Sequence, residues 1–294
     1  MLAGCGGLTK EKTVIDNPGN QYINIENIFC GEAMDDSKQQ REKLKFFVKT
    51  GIVVLSFLVF GMLGIKYIPK AVSVTNLSGI NKLPIHSVDV KENKVALTFD
   101  VAGEEGMKDI LEILALHNIK ATFFMTGDWI EKHPEDVKII AAAGHDLGNH
   151  SENHKHMSWL SLQECKEEIL SVHNRVKEIT GMDMSLFRAP YGDYNATLID
   201  ATRELGYYCI QWDVESMDWK DYGVKSIIDT VLNSKQLRNG SIIQCHSGSK
   251  YIEDALDGLI LGLKEMGYRI VPVSQLIFTS DYYMDKTGRQ MKKE

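Results

Sequence analysis

Seven short apolar runs, each followed by a polar cluster or a helix-patterned stretch, limit the possible folds more than any other feature; they span residues 95–99, 122–125, 146–148, 186–188, 208–212, 241–244 and 269–273. Between them lie segments of helical period, such as the one carrying Ile110, Leu111, Ile113 and Leu114, and one opened by the capping box Ser161-x-x-Glu164. Strands alternating with helices predict a parallel sheet, because parallel neighbours need a long crossover and a helix supplies it. A barrel and an open doubly wound sheet both satisfy this pattern. With 294 residues, 44% of them hydrophobic, the chain can bury one full-sized core and still carry appendages.

One appendage is predicted near the start. Residues 50–65 contain no charge, and the apolar run lengthens to 46–68 if Lys49 and Lys66 reach outward to water. About 20 residues cross a bilayer, so 46–68 reads as a transmembrane signal-anchor helix. Lys38, Arg41, Lys43, Lys45 and Lys49 precede the uncharged stretch 50–65, against Lys66 and Lys70 after it. This asymmetry keeps the amino terminus cytoplasmic and sends the rest out of the cell membrane. Residues 1–45 are polar and expected to be disordered, and 69–90 read as a linker. The string Leu2-Ala3-Gly4-Cys5 resembles a lipoprotein box but lacks a leader and is read as coincidence or as the sign of a wrongly assigned start.

Charge and cysteines exclude other classes. From Ala71 onward there are 24 Lys and Arg against 33 Asp and Glu, which argues against nucleic acid as a partner. Cys5, Cys30, Cys165, Cys209 and Cys245 are widely spaced and odd in number, so neither a disulfide framework nor a zinc knuckle is expected. Cys245 adjoins His246, but strand neighbours face opposite ways, and a buried thiol is expected. No G-x-S-x-G elbow is present to suggest a serine hydrolase.

The polar residues cluster where the strands end: Asp100, His150, Arg188, the stretch 213–219, and His246. In α/β folds the carboxyl ends of strands carry function. His150 and His154 have the spacing at which two imidazoles reach one ion from a helical turn or compact loop.

Five motifs recur in a fixed order: Leu97-Thr-Phe-Asp100, His150-Ser-Glu-Asn-His154, Arg188-Ala-Pro-Tyr191-Gly192, Asp213-Val-Glu-Ser-Met-Asp218-Trp219 and Ile243-Gln-Cys-His246. In this order they resemble the polysaccharide deacetylase (NodB-homology) family, carbohydrate esterase family 4. The resemblance implies a distorted (β/α)7 barrel over 91–280, followed by a polar tail at 281–294. It also implies removal of N-acetyl groups from a cell-wall glycan, peptidoglycan or a related N-acetylglucosamine polymer, by a monomer. In that scheme Asp100 is the general base, with Arg188 gripping it as a fork, and His246 is the general acid. Asp218, or less favourably Asp213, keeps that imidazole charged. The backbone N–H of Tyr191, just past Pro190, serves the oxyanion, and Tyr191 and Trp219, with Trp212, wall the sugar. His150 and His154 hold a divalent metal, zinc being the ion expected.

The chain departs from the family at one position. The acidic residue that usually follows the base, as third metal ligand, is here Val101. Three readings stay open: a weaker site on two histidines with water and Glu104 or Glu105; a glycan-binding protein with little or no activity; or Asp100 itself turning to the metal.

Overall fold

The computed structural model describes residues 82–102 and 106–293. The expected tail (1–45), transmembrane span (46–68) and most of the linker lie outside the described residues, as do Glu104 and Glu105. Among the described residues no helix is long and apolar enough to cross a membrane.

The described chain begins with β1 (Ser87–Val88) and β2 (Lys94–Val101), followed by α1 (Met107–Leu116), β3 (Thr122–Met125), α2 (Gly127–Lys132), α3 (Pro134–Ala142) and β4 (Asp146–Asn149). It continues with α4 (Leu162–Thr180), β5 (Leu186–Phe187), α5 (Ala196–Glu204), β6 (Tyr208–Cys209), β7 (Val214–Glu215), α6 (Val224–Leu232), β8 (Ile242–Ser247) and α7 (Ile252–Glu265). β9 (Arg269–Val271), β10 (Tyr282–Met284) and β11 (Arg289–Lys292) complete it. The capping box forms as expected at α4: Ser161 Oγ accepts from Glu164 N–H, and Glu164 takes the Ser161 N–H in return.

All seven expected strands form. With the unexpected β7 they make an eight-stranded parallel sheet in the order β6-β5-β4-β3-β2-β8-β7, and β9 lies against the start of β2. The sheet has to curl. Laid flat, six strand spacings would separate β6 from β7 by about 29 Å. The five-residue step from Cys209 to Val214 reaches at most about 18 Å. The result is an open half-barrel with helices on its convex side.

Two apolar layers follow from strand alternation. Val95, Leu97, Phe99 and Val101 face the helices, as do Ile243 and Cys245. Ala96, Phe124, Leu186, Ile210 and Ile242 face the concave side. At the carboxyl ends of β2 and β8 that concave face turns polar, with Thr98, Asp100, Gln244 and His246.

The end of the linker and the polar tail differ from expectation. Ile85 pairs with Ile210, Ser87 pairs with Ser241, and β1 runs parallel to β11, which pairs antiparallel with β10. The segment 85–88 therefore straps the gap between the two ends of the curled sheet. Gly240 makes the crossing possible: an added Cβ there would lie 1.7 Å from Val88 O. In the tail, fully buried Gln290 satisfies both the N–H and the C=O of Phe278. A polar residue used as a staple leaves no hydrophobic signature in the sequence.

Candidate active site

Asp100 ends β2 on the concave face and is nearly buried. Arg188 Nη1 donates to its Oδ1 at 2.6 Å, and Gln244 Nε2 donates to its Oδ2 at 2.6 Å. Burial works against the charge, but the Arg188 guanidinium, with His150 and His246, outweighs it and holds this carboxyl down at about 2.

Arg188 follows β5 and is completely buried. It does not grip Asp100 as a fork. Nη1 is shared between Asp100 and Thr98 Oγ1 (2.9 Å), while Nη2 donates to the Gln211 carbonyl at 3.2 Å. The guanidinium lies over Phe124, 4.1 Å from the ring centroid, and over Trp212 at 5.4 Å. Half-buried Trp212 thus packs against the Arg188 guanidinium. Gly148 lets Phe124 lie there, because a Cβ at that position would meet the ring at 2.5 Å.

His246 sits opposite Asp100 in the β2–β8 register. Asp218, fully buried in the short turn after β7, accepts from His246 Nδ1 and from its backbone N–H, each at 2.7 Å. Burial depresses the imidazole pKa, yet the Asp218 hydrogen bond and the Asp100 charge raise it above its ordinary value. With Nδ1 committed to Asp218, Nε2 is the nitrogen available for chemistry.

His150 and His154 meet in a compact loop after β4, their ring centroids 5.0 Å apart. The loop is wound by left-handed residues, Ser151 at φ 68° and His154 at φ 52°. It is pinned to α4 by the Glu152–Arg175 pair and by Asn153 on Glu168. His150 Nδ1 is fixed by the Arg188 carbonyl at 2.9 Å, leaving Nε2 turned toward Asp100 Oδ2, 4.0 Å away. Burial pushes His150 down to about 4 and also lowers His154, which favours the neutral imidazole at both.

Neutral imidazoles, one oriented through its second nitrogen, suit a transition-metal ion. Among the described residues, the position that usually supplies a third donor carries Val101. Val101 is fully buried among the apolar residues on the helix side of β2, facing away from the histidines. Among the described residues no group of three or more His, Cys, Asp or Glu side chains is arranged to hold an ion. The residues present fit a two-imidazole site.

Tyr191 follows buried Pro190 in a short turn after β5, with φ 60°. Bulky residues rarely adopt this conformation, and such strain tends to collect at functional sites. Its ring meets His154 edge-on at 4.6 Å. Trp219, beside Asp218, is exposed, and its indole N–H donates to Glu215 Oε1 at 2.9 Å. Asp213 does not join the cluster. It accepts from Ile242 N–H at 3.0 Å and from Ser241 Oγ at 3.2 Å, at the amino end of β8 and roughly 13 Å along the strand from His246.

Gln244 carries no sequence signal of its own beyond its position two residues before His246, which puts it on the same strand face. The thiols are bystanders: Cys165, Cys209 and Cys245 are free and buried, and burial pushes Cys165 and Cys209 up to about 11 and about 12 and Cys245 well above its ordinary range.

Residues 87–210 match the polysaccharide deacetylase family profile. The peptidoglycan-N-acetylmuramic acid deacetylase PdaA of Bacillus subtilis is 32% identical over 198 residues, covering 66% of this chain and 74% of that protein. The Bc1960 peptidoglycan N-acetylglucosamine deacetylase structure, bound to a naphthalenyl N-oxidanyl-benzamide, superposes with a TM-score of 0.65 at 32% identity, covering 70% of this chain and 98% of its own. BA3943 of Bacillus anthracis, described as a family 4 carbohydrate esterase pseudoenzyme, superposes with a TM-score of 0.63 at 26% identity over 73% of this chain and 74% of its own. This chain, with Asp100, His150, Arg188, Asp218 and His246 gathered on one rim of a curled parallel sheet, belongs to the polysaccharide deacetylase family.

Proposed function

We propose that the protein is a metal-dependent hydrolase that removes N-acetyl groups from a cell-wall glycan, peptidoglycan or a related N-acetylglucosamine polymer, anchored in the cell membrane through residues 46–68. The observation that carries this reading is the pairing of an ionised carboxylate, Asp100, with an imidazole whose pKa is raised, His246, across two adjacent strands.

Asp100 takes a proton from the attacking water while Arg188 and Gln244 hold its two oxygens. His246 Nε2 gives a proton to the departing sugar amine, which is too poor a leaving group to go as an anion. Asp218 stabilises the imidazolium before that transfer. The Tyr191 N–H is the donor assigned to the tetrahedral oxyanion. His150 and His154 would hold the divalent ion, zinc being the expected one, and when bound it acidifies water and polarises the acetyl oxygen.

Val101 supports a second reading: a membrane-tethered glycan-binding protein with little or no activity. Acetate release from peptidoglycan and chitooligosaccharides, measured with zinc and with chelator, separates the two. Zinc-dependent release that is lost in His150→Ala and His154→Ala supports the hydrolase. Glycan binding without acetate under any metal supports the second reading. Release that survives both chelation and the double change would rule out the metal-dependent mechanism.

A further inference from the structure

We propose that Trp159 forms an outer subsite that stacks a pyranose ring of the glycan beyond the sugar being deacetylated; this rests on the glycan-acting reading above. Trp159 lies at the end of the short turn Met157–Trp159 and is 79% exposed. Lone exposed apolar side chains are common and need no explanation. This one is part of a built stack. Its ring is layered on His156 at 4.5 Å and 23°, and His156 is layered on Tyr191 at 4.3 Å and 20°. Tyr191 in turn abuts His154. The row of rings therefore starts at the reaction centre and ends in an indole whose outer face is open to solvent.

The row is anchored at both turns. Asp193, just past Tyr191, accepts from Ser158 Oγ at 2.7 Å and Ser158 N–H at 3.3 Å and lies 3.3 Å from His156 Nδ1. Asn195 Nδ2 donates to the Ser158 carbonyl at 2.8 Å, and Met157 is buried beneath. A flat apolar face held rigid in water suits the C–H face of a pyranose, since little side-chain entropy is lost on binding. Charge does not select the ligand here, because the open face of Trp159 is uncharged. Stacking predicts a dependence on chain length instead.

The test is calorimetric binding of chitobiose and chitohexaose to the purified protein and to Trp159→Ala and Trp159→Phe, alongside acetate release from both sugars. Aromatic stacking of this kind corresponds to about three- to tenfold in affinity. Trp159→Ala is expected to weaken chitohexaose by that factor, leave chitobiose affinity and turnover unchanged, and be rescued by Trp159→Phe. Equal loss for both sugars, or no loss for chitohexaose, would overturn the subsite while leaving the deacetylase reading intact. If the unaltered protein binds neither sugar and releases no acetate, both fail together.

Discussion

Asp100 and His246 are register partners on β2 and β8, one strand spacing apart, and each is fixed by partners of its own: Arg188 and Gln244 for the carboxylate, Asp218 for the imidazole. In the proposed reaction, the spacing of about 4.8 Å between strands sets the base and the acid side by side. The two charges also tune each other. The imidazolium helps keep Asp100 ionised, and the carboxylate helps keep His246 protonated.

Removing either partner should therefore cost turnover and not binding. Asp100→Asn and His246→Ala are each expected to lower kcat by roughly 10²- to 10⁴-fold, the usual worth of a positioned acid or base. Chitohexaose affinity should stay within a few fold. A variant that loses affinity as steeply as turnover would show that the residue holds the sugar rather than the proton.

Asp218→Asn probes the acid alone. His246 must be protonated to act, so kcat should fall as pH rises through its raised pKa. Without the carboxylate, burial dominates and that pKa drops, so the alkaline limb of the pH profile moves to lower pH. An unmoved limb would assign the descent to another group.

Gln244 restrains the base alongside Arg188. Its Nε2 occupies Asp100 Oδ2, while its own buried Oε1 has no partner among the described residues. Gln244→Leu removes a hydrogen bond that favours the charged carboxylate, so Asp100 becomes a stronger base and kcat rises several-fold. Stability should change by no more than about 1 kcal/mol, since the lost bond is offset by removal of the orphaned oxygen. A fall in kcat with unchanged folding would instead make Gln244 a group the reaction needs.

The parts of this design visible in the sequence are those set by local pattern. β2 through β5 were readable because each is a short apolar run between a helix and a polar cluster, and Asp100, His150 and Arg188 follow directly from where those runs stop. Nonlocal pairing was not readable. The run 208–212 looks like one strand, yet β6 ends at Cys209, the chain crosses to the far edge of the curled sheet, and β7 begins at Val214. That crossing separates the two acids of one motif, sending Asp218 to His246 and Asp213 to the opposite end of β8. The strap and tail pairing of β1 with β11 is hidden for the same reason. So is the Tyr191–His156–Trp159 stack, which joins turns after different strands.

Asp213 gives the last test, because its predicted effect is on stability and not on catalysis. Burial pushes its carboxyl up to about 6 despite hydrogen bonds from Ile242 and Ser241 and the nearby Arg238 charge. A folded-state pKa raised above the unfolded value favours the fold most at low pH, and that contribution is lost as pH rises from about 4 through about 6. The shift corresponds to an order of 2 to 3 kcal/mol. Asp213→Asn removes the titration, so its stability relative to the unaltered protein should improve across that window and then level off, as read by denaturant unfolding at each pH. kcat should stay within about twofold, since this carboxylate is at the wrong end of the strand to touch the reaction. A large loss of turnover in a folded Asp213→Asn protein would mean that the amino end of β8 communicates with His246, and that the division of labour between the two acids is wrong.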